Sequence, residues 1–565
     1  VSAFALVGAK QISLHTLERP GVLRAANEAR RYQVEATLFG RRGAILTADG
    51  EAVAVDEGAS ELHVEFAKVP HSPSFWIDLG AASGIAATEF EAVAASGVKG
   101  RTWRRPIGSE QAQRVNAVKL GWRADGVSLV RGKRREYPLG AVTAPIVGLT
   151  RDGKPVSGLE YSLNSWLSPT SGKKEGLLDR RGSFLPSRSQ IEAEPVDGQS
   201  VQLTIDSELQ SVAYSAVKAS VEANRATDGV ALVMDTRNGD LLAMATYPSF
   251  EPYAADGSPG DLSRNSGFNP ATMAVLEPGS TFKALTLAKA IDLGKVELED
   301  TVQCGGSLKQ WRGKAIRCDA HHGTRAHGRI DGTKAIAKSC NVSAATWALR
   351  IGHKNYVEFL RELGLLERSD LGLPKEAIGQ FNLNEPNQLL QLATLGFGQS
   401  VNVTPVALVG AFGVLATEGR MVHPRLVKRI GNRDLPIRTG NRVISPRAAN
   451  DVLSAMEATI ETDAGTGRTL RIPGYRLAGK TGTAEKVGAK NRGYVSNFVG
   501  YVPAERPRAV VLVMINDPRA GRYYGSQVAG PVFVQIAQTV IRRLAIPPSA
   551  PASRAPSSDA AVAAT

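Results

Sequence analysis

Leu276-Glu277-Pro278-Gly279-Ser280-Thr281-Phe282-Lys283 is the stretch on which the reading of this chain turns. Pro278 and Gly279 end whatever precedes them. Residues 281–293 (TFKALTLAKAIDL) then carry apolar side chains at helical spacing. Ser280 and Lys283 are three apart at the start of that helix, so they share a face. A serine hydroxyl is a weak nucleophile at neutral pH and needs a base beside it. A lysine can serve when desolvation or a second cation lowers its pKa. The N–H groups of a helix start also suit a developing oxyanion. Alone, Ser-x-x-Lys is common by chance, and an exposed helix start is the simpler account of it.

Two further elements change that balance. Lys338-Ser339-Cys340-Asn341 gives a Ser-x-Asn triplet in a predicted helix-to-loop segment. Gly479-Lys480-Thr481-Gly482-Thr483-Ala484 gives a Lys-Thr-Gly-Thr run that follows a polar turn and leads towards strands. Around them lies an α+β pattern. Residues 201–206 form a β-prone run ending in Asp206, a good N-cap for a helix over 207–222 with Leu209, Val212, Ala213, Ala216 and Val217 on one face. Residues 229–234 and 241–245 read as strands about an Asn238-Gly239 turn, the opening hairpin of the larger domain. Residues 494–501 and 509–515 read as strands and 528–544 as a closing amphipathic helix.

The rest of the chain bounds the problem. It has 565 residues, so more than one domain is expected. Hydrophobic content of 43% and charged content of 22% exclude wholesale disorder and a multi-span membrane protein. Three cysteines cannot frame the fold with disulfides. A net charge of +14 permits an anionic partner without choosing nucleic acid, membrane surface or acidic polymer. Residues 18–33 read as an exposed helix or stalk, and Asp49-Gly50 as the turn of a hairpin. Residues 58–200 mix short strand and helix signals with basic runs (Arg101, Arg104, Arg105, Arg131, Lys133, Arg134 and Arg135) read as a solvated face. Residues 171–189 read as an exposed polar loop. From Ile546 the composition turns to Ala, Pro and Ser, a disordered tail.

In the order Ser-x-x-Lys, Ser-x-Asn, Lys-Thr-Gly, the three motifs match the serine acyl-transferase set shared by penicillin-binding proteins and class A β-lactamases. The chain resembles the class B penicillin-binding proteins, D,D-transpeptidases of peptidoglycan synthesis. Glu277–Lys283 looks like their extended nucleophile signature. Asp235–Phe250, the Phe498–Ala504 run and Tyr524-Gly525-Ser526 resemble other parts of the transpeptidase domain. Arg42-Gly43-Ala44-Ile45, Tyr137-Pro138-Leu139-Gly140 and Gly158-Leu159-Glu160 resemble the N-terminal pedestal, although Leu46-Thr47-Ala48-Asp49 departs from the usual Asp-Arg pair. Residues 268–275 also depart from the usual Arg-rich approach to the nucleophile. Leu395–Ser400 with Val403-Thr404-Pro405 looks closer to division-type than elongation-type enzymes.

The resemblance implies four segments: 1–35, membrane-proximal; 36–195, a mixed, extended pedestal; 196–545, a β-lactamase-like transpeptidase domain with a five-stranded antiparallel sheet flanked by helices; and 546–565, the tail. It implies that Ser280 attacks the carbonyl between two terminal D-Ala residues and that Lys283 takes the hydroxyl proton. Ser339 would relay a proton to the leaving amine, and Asn341 would orient the substrate amide and Lys283. Lys480 would keep the site positive, and Thr481, Gly482 and Thr483 would form the carboxylate and oxyanion side. No cofactor is implied. The implied partners are stem peptides, β-lactams, a glycosyltransferase of the SEDS family and division proteins, at the outer face of the bacterial inner membrane. Residues 2–8 would then be either the last turns of an anchor begun upstream of Val1 or a buried helix turn.

Rival readings keep the acylation and change its fate. A carboxypeptidase or β-lactamase would use water as acceptor, but no deacylating glutamate can be assigned. A β-lactam sensor or scaffold would not need the full motif set. A nucleic-acid binder rests on charge alone. Cys304, Cys318, His321, His322 and His327 are read first as a surface insertion, with a Cys304–Cys318 disulfide second and zinc third; no metal site is assigned. Cys340 reads as a small structural residue, and Tyr494, Trp311 and Trp347 as packing rather than cleft residues.

Overall fold

The computed structural model describes residues 33–549 apart from 152, 179–183, 254–266, 312–313, 319–325, 382–387 and 487–492. The stalk over 18–32, the segment at 1–10, His321 and His322, and the tail beyond 549 therefore lie outside the described residues. The chain divides into two compact units. One takes the described residues up to Ala44 with Asn164–Ser200, the other Ile45–Leu163 with the residues from Val201 on.

The smaller unit is built on a three-stranded antiparallel sheet in which Gly172–Leu178 lies between Gln33–Leu38 and Phe184–Ala193. The exposed loop expected over 171–189 is thus largely strand. Its strands are not marked by apolar alternation. The backbone ladder pairs them, and charged side chains face one another across it: Lys173 Nζ lies 3.1 Å from Glu35 and 3.0 Å from Glu192.

The larger unit carries two sheets. In the first, the order is Arg433–Asp434, Val427–Ile430, Val201–Leu203, Ile45–Leu46, Ala52–Glu65 and Gly100–Ile107, with Val127–Glu136 also paired to Ala52–Glu65. Helices Pro73–Ser83, Ala87–Ala95 and Ser109–Trp122 accompany it, and Leu62, Phe75, Trp76, Phe90, Trp103 and Val127 share one buried cluster. Asp49-Gly50 does sit at a hairpin tip, with Gly50 at φ 89°.

The second sheet has five strands, all antiparallel, in the order Leu241–Tyr247, Asp228–Asp235, Ala509–Asn516, Tyr494–Val502, Ala478–Glu485. Its inner strands are buried on both faces, which is why they read as continuous apolar runs such as AVVLVMI. Helices Ser207–Ala223 and Gly530–Arg543 share a core with the sheet. Asp206 caps the former, accepting from Leu209 N at 2.9 Å. Pro405–Ala416, apolar all round, is buried along nearly its whole length. Ile546 is buried in the same core and Ser549 N donates to Gly474 O at 2.9 Å, so the chain is still packed four residues into the Ala/Pro/Ser segment. Among the described residues, no helix is long and apolar enough to cross a membrane.

Candidate active site

The chain around Ser280 is a 3-10 turn over Gly279–Phe282 that runs into the helix Lys283–Asp292. The helix begins two residues later than the sequence pattern suggested. A clamp explains the tight turn. Leu276 and Val403 exchange backbone hydrogen bonds at 3.0 Å, and Gly279 N donates to Gly398 O at 2.9 Å. Ser400 N donates to the Glu277 carboxylate at 2.8 Å, and Asn497 Nδ2 donates to Pro278 O at 2.8 Å. Gly279 and Gly398 both have positive φ, at 56° and 73°. The Leu395–Ser400 and Val403-Thr404-Pro405 signatures therefore hold the nucleophile turn in place.

Lys283 is 1% exposed and Lys480 is fully buried. Lys283 Nζ donates to Ser339 O at 2.6 Å and to Ser339 Oγ at 3.0 Å. Lys480 Nζ reaches the same Ser339 Oγ at 3.0 Å and donates to Thr481 O at 2.9 Å. Ser339 has φ 56°, a left-handed value that costs a non-glycine residue about 1–3 kcal/mol. It sits between the helices Gly332–Ala337 and Asn341–Ile351. Asn341 opens the second of these and donates to Arg317 O at 2.8 Å. Lys480, Thr481, Gly482 and Thr483 lie on the strand Ala478–Glu485 itself, at the sheet edge, rather than ahead of it.

Burial, and after it the charge of Lys283, hold Lys480 well below the ordinary lysine range. The sequence reading gave Lys480 a standing positive charge, and desolvation works against that. Two amines sharing one hydroxyl in a dry site titrate as a pair.

A cleft of about 420 Å³ is lined by Ser280, Ser339, Asn341, Thr481, Gly482 and Thr483, which brings six of the eight sequence-predicted residues to one surface with Lys283 and Lys480 beneath it. Sequence reasoning gave no role to His327, Thr466, Arg468 or Tyr524, which also line it. Thr466 Oγ1 pairs with Thr481 Oγ1 at 2.9 Å, and Gly525 N donates to Thr483 Oγ1 at 3.2 Å. Of these, His327 carried a signal only as part of the Cys/His cluster, and Tyr524 only within Tyr524-Gly525-Ser526, a motif without an assigned role. Gly482 is required by space: a Cβ there would stand 1.6 Å from Asn497 Oδ1. Trp347 is core, Tyr494 stacks on Tyr523 with centroids 4.3 Å apart, and the side chain of Trp311 lies outside the described residues. All three cysteines are free and buried, which corrects the surface-insertion reading for Cys304 and Cys318; Cys340 was read as a small structural residue.

The description "Penicillin binding protein transpeptidase domain" matches residues 229–538. Peptidoglycan D,D-transpeptidase FtsI of Escherichia coli K12 is 30% identical over 461 residues, 79% of this chain and 73% of that protein. Probable peptidoglycan D,D-transpeptidase PbpC of Pseudomonas aeruginosa is 31% identical over 433 residues, 75% of this chain and 73% of that protein. Penicillin binding protein 3 of Mycobacterium tuberculosis, solved with aztreonam, superposes with a TM-score of 0.68 at 25% identity, covering 91% of this chain and 99% of that one. The matched span holds both strands of the opening hairpin, the turn at Ser280, the Ser339 segment and the Lys480 strand, and the chain therefore belongs to the penicillin-binding protein transpeptidase family.

Proposed function

We propose that this chain is an acyl-serine peptidoglycan D,D-transpeptidase in which Ser280 is the nucleophile. The observation that carries the assignment is the convergence of two buried amines, Lys283 and Lys480, on Ser339 Oγ at 3.0 Å each, beneath a cleft that Ser280 lines. A buried, paired lysine is the base that a serine nucleophile needs.

The pair holds one proton between them. In the microstate that reacts, the proton of the pair rests on Lys480, so Lys283 is the neutral amine and takes the proton from Ser280 Oγ as the oxygen bonds to the carbonyl carbon between two D-Ala residues. The C–N bond then breaks, and the leaving amine receives its proton through Ser339 Oγ. Lys480, on the far side of that hydroxyl, supplies or accepts the compensating charge. Thr481 and Thr483 face the substrate carboxylate, and the backbone N–H groups of Ser280 and Thr483 face the oxyanion. Asn341, held by Arg317 O, orients the substrate amide. A neighbouring stem amine attacks the acyl carbon, and Oγ leaves with its proton restored.

Similarity to FtsI supports a septal role, with a SEDS-family glycosyltransferase and division proteins as partners at the cell envelope. Similarity to a penicillin-binding protein solved with aztreonam supports covalent capture by β-lactams.

Intact-protein mass spectrometry after benzylpenicillin exposure tests the assignment. One penicilloyl adduct on Ser280 is expected, with none on Ser280→Ala. An unmodified wild type, or a modified alanine variant, would sink it. Loss of the adduct within minutes would favour the hydrolase reading over the transpeptidase.

A further inference from the structure

Cys304, Cys318, His327 and Cys340 take no part in the chemistry above, yet their ligand atoms all lie within 4.8 Å of one another. Cys304 Sγ is 3.6 Å from Cys318 Sγ, Cys318 Sγ is 3.7 Å from Cys340 Sγ, and Cys304 Sγ is 3.4 Å from His327 Nδ1. A tetrahedral zinc ion with Zn–S of about 2.3 Å and Zn–N of about 2.0 Å sets its ligands about 3.8 Å (S to S) and about 3.5 Å (S to N) apart. Three of the six ligand pairs already stand close to those separations, and the other three lie within 4.8 Å. We infer that Cys304, Cys318, His327 and Cys340 form a four-ligand zinc site that fixes the Ser339-Cys340-Asn341 turn of the active site.

Three further observations support it. The three cysteines are 0%, 2% and 0% exposed, and buried thiols usually pack against apolar side chains rather than converge on one another and an imidazole. The ligands come from separate elements: Cys304 ends the strand Val302–Cys304, Cys318 follows the strand Lys314–Arg317, His327 precedes the strand Gly328–Ile330, and Cys340 caps the helix Asn341–Ile351. A single ion would cross-link them in a region of two-stranded sheets. Ser343 N also donates to Cys340 Sγ at 3.4 Å, a helix-start contact that suits a thiolate ligand. Three sulfurs and one imidazole select zinc over magnesium or calcium, and four protein ligands leave no open position, so the ion is structural.

The consequence lies in what the ligands adjoin. Cys340 separates Ser339, strained at φ 56°, from Asn341. Cys318 follows Arg317, whose carbonyl accepts from Asn341 at 2.8 Å. The ion would therefore grip the Ser-x-Asn turn on both sides, holding the left-handed Ser339 beneath Lys283 and Lys480. Binding forms three Zn–S bonds and one Zn–N bond and releases the thiol protons to solvent, with no redox step.

The full chain, purified without chelator, is expected to carry about one zinc by elemental analysis. Replacing it with Co2+ should give the visible absorption of tetrahedral cobalt and a thiolate-to-cobalt charge-transfer band; both should weaken in Cys304→Ser and His327→Gln. Removing zinc from wild type should slow penicillin acylation by on the order of 100-fold, the cost of displacing a catalytic group by about 1 Å, and zinc should restore it. Three titratable thiols with no metal after incubation with equimolar Zn2+ would overturn the site, as would a single titratable thiol and a Cys304–Cys318 disulfide. The effect on acylation rests on the transpeptidase reading, but metal content does not. A zinc-loaded chain that penicillin never modifies would sink that reading and leave the site standing.

Discussion

Placing a second buried amine on the hydroxyl that Lys283 already contacts limits how much charge the site can hold. Lys480 is pushed well below the ordinary lysine range by burial and then by Lys283. Between that lowered value and the ordinary value of about 10.4, the unfolded chain binds a proton that the native chain does not, so wild-type stability rises with pH across the interval. Lys480→Met removes the titration. Its melting temperature should exceed that of wild type at neutral pH, with the gap closing as the pH approaches the ordinary lysine value, while penicillin acylation falls by about 10²–10⁴-fold. Melts at a series of pH values, paired with acylation rates, check both halves, and a gap that does not change with pH would refute the assignment of the shift. Function holds Lys480 where stability would replace it. At this scale the sequence was informative about identity and uninformative about charge. Ser-x-x-Lys, Ser-x-Asn and Lys-Thr-Gly could be found as strings. The burial and the neighbouring charge that set the pKa of Lys480 come from segments as far apart in the chain as Lys283 and Ser339.

Elements show the same division. The helix starting at Ser207 and the hairpin about Asn238-Gly239 were legible because local capping and turn chemistry agree with the tertiary structure there. The strands Gly172–Leu178 and Phe184–Ala193 were not, because they carry charged and polar residues without apolar alternation. Arg135 is the instructive single case. Its basic neighbours made it look like part of a solvated face, yet its side chain is 5% exposed, bonded to fully buried Glu160 at 2.7 Å and to Asp56 at 3.2 Å. The pair ties the strand Val127–Glu136 to the short helix Gly158–Ser162. Polarity in a window cannot distinguish a solvated arginine from one whose partner lies 25 residues on. Glu160→Ala would leave a buried guanidinium short of its nearest counter-ion, a loss of about 3–5 kcal/mol. Urea unfolding should show it as a fall in midpoint, while penicillin acylation in the absence of urea stays close to wild type. A change below about 1 kcal/mol would mean that Asp56 and solvent compensate.

At the scale of the molecule, the boundary placed at residue 195 from resemblance does not coincide with a break in the sheet. Val201–Leu203 pairs in parallel with Ile45–Leu46 on one side and antiparallel with Val427–Ile430 on the other, so one sheet draws strands from both sides of that boundary. Strands of two and three residues that far apart in the chain leave no periodic signature, and nothing local announces their pairing. The hairpin tip then fastens onto the start of the helix Ser207–Ala223, which packs on the five-stranded sheet. Ala48 N donates to Ile205 O at 2.7 Å, Gln202 Nε2 donates to Ala48 O at 3.1 Å, and Ser207 Oγ donates to Asp49 Oδ2 at 2.6 Å. Burial works against the Asp49 carboxylate, but hydrogen bonds from Ser207 and Thr47 outweigh it and hold the group below its usual value. Its contribution is therefore present at neutral pH and disappears as the pH falls through that lowered value. Asp49→Ala should cost about 1.5–3 kcal/mol at pH 7, the worth of hydrogen bonds to a charged group, and nothing in strong acid. A chain of residues 196–545 alone loses more. Val201 gives up its parallel partner, and the edge left beside Val427–Ile430 is short but apolar, an invitation to intermolecular pairing. Such a chain should melt below the full chain and aggregate on heating, even though it contains every residue of the cleft. Equal melting temperatures for the two chains would show that the shared sheet contributes nothing to holding the active-site domain.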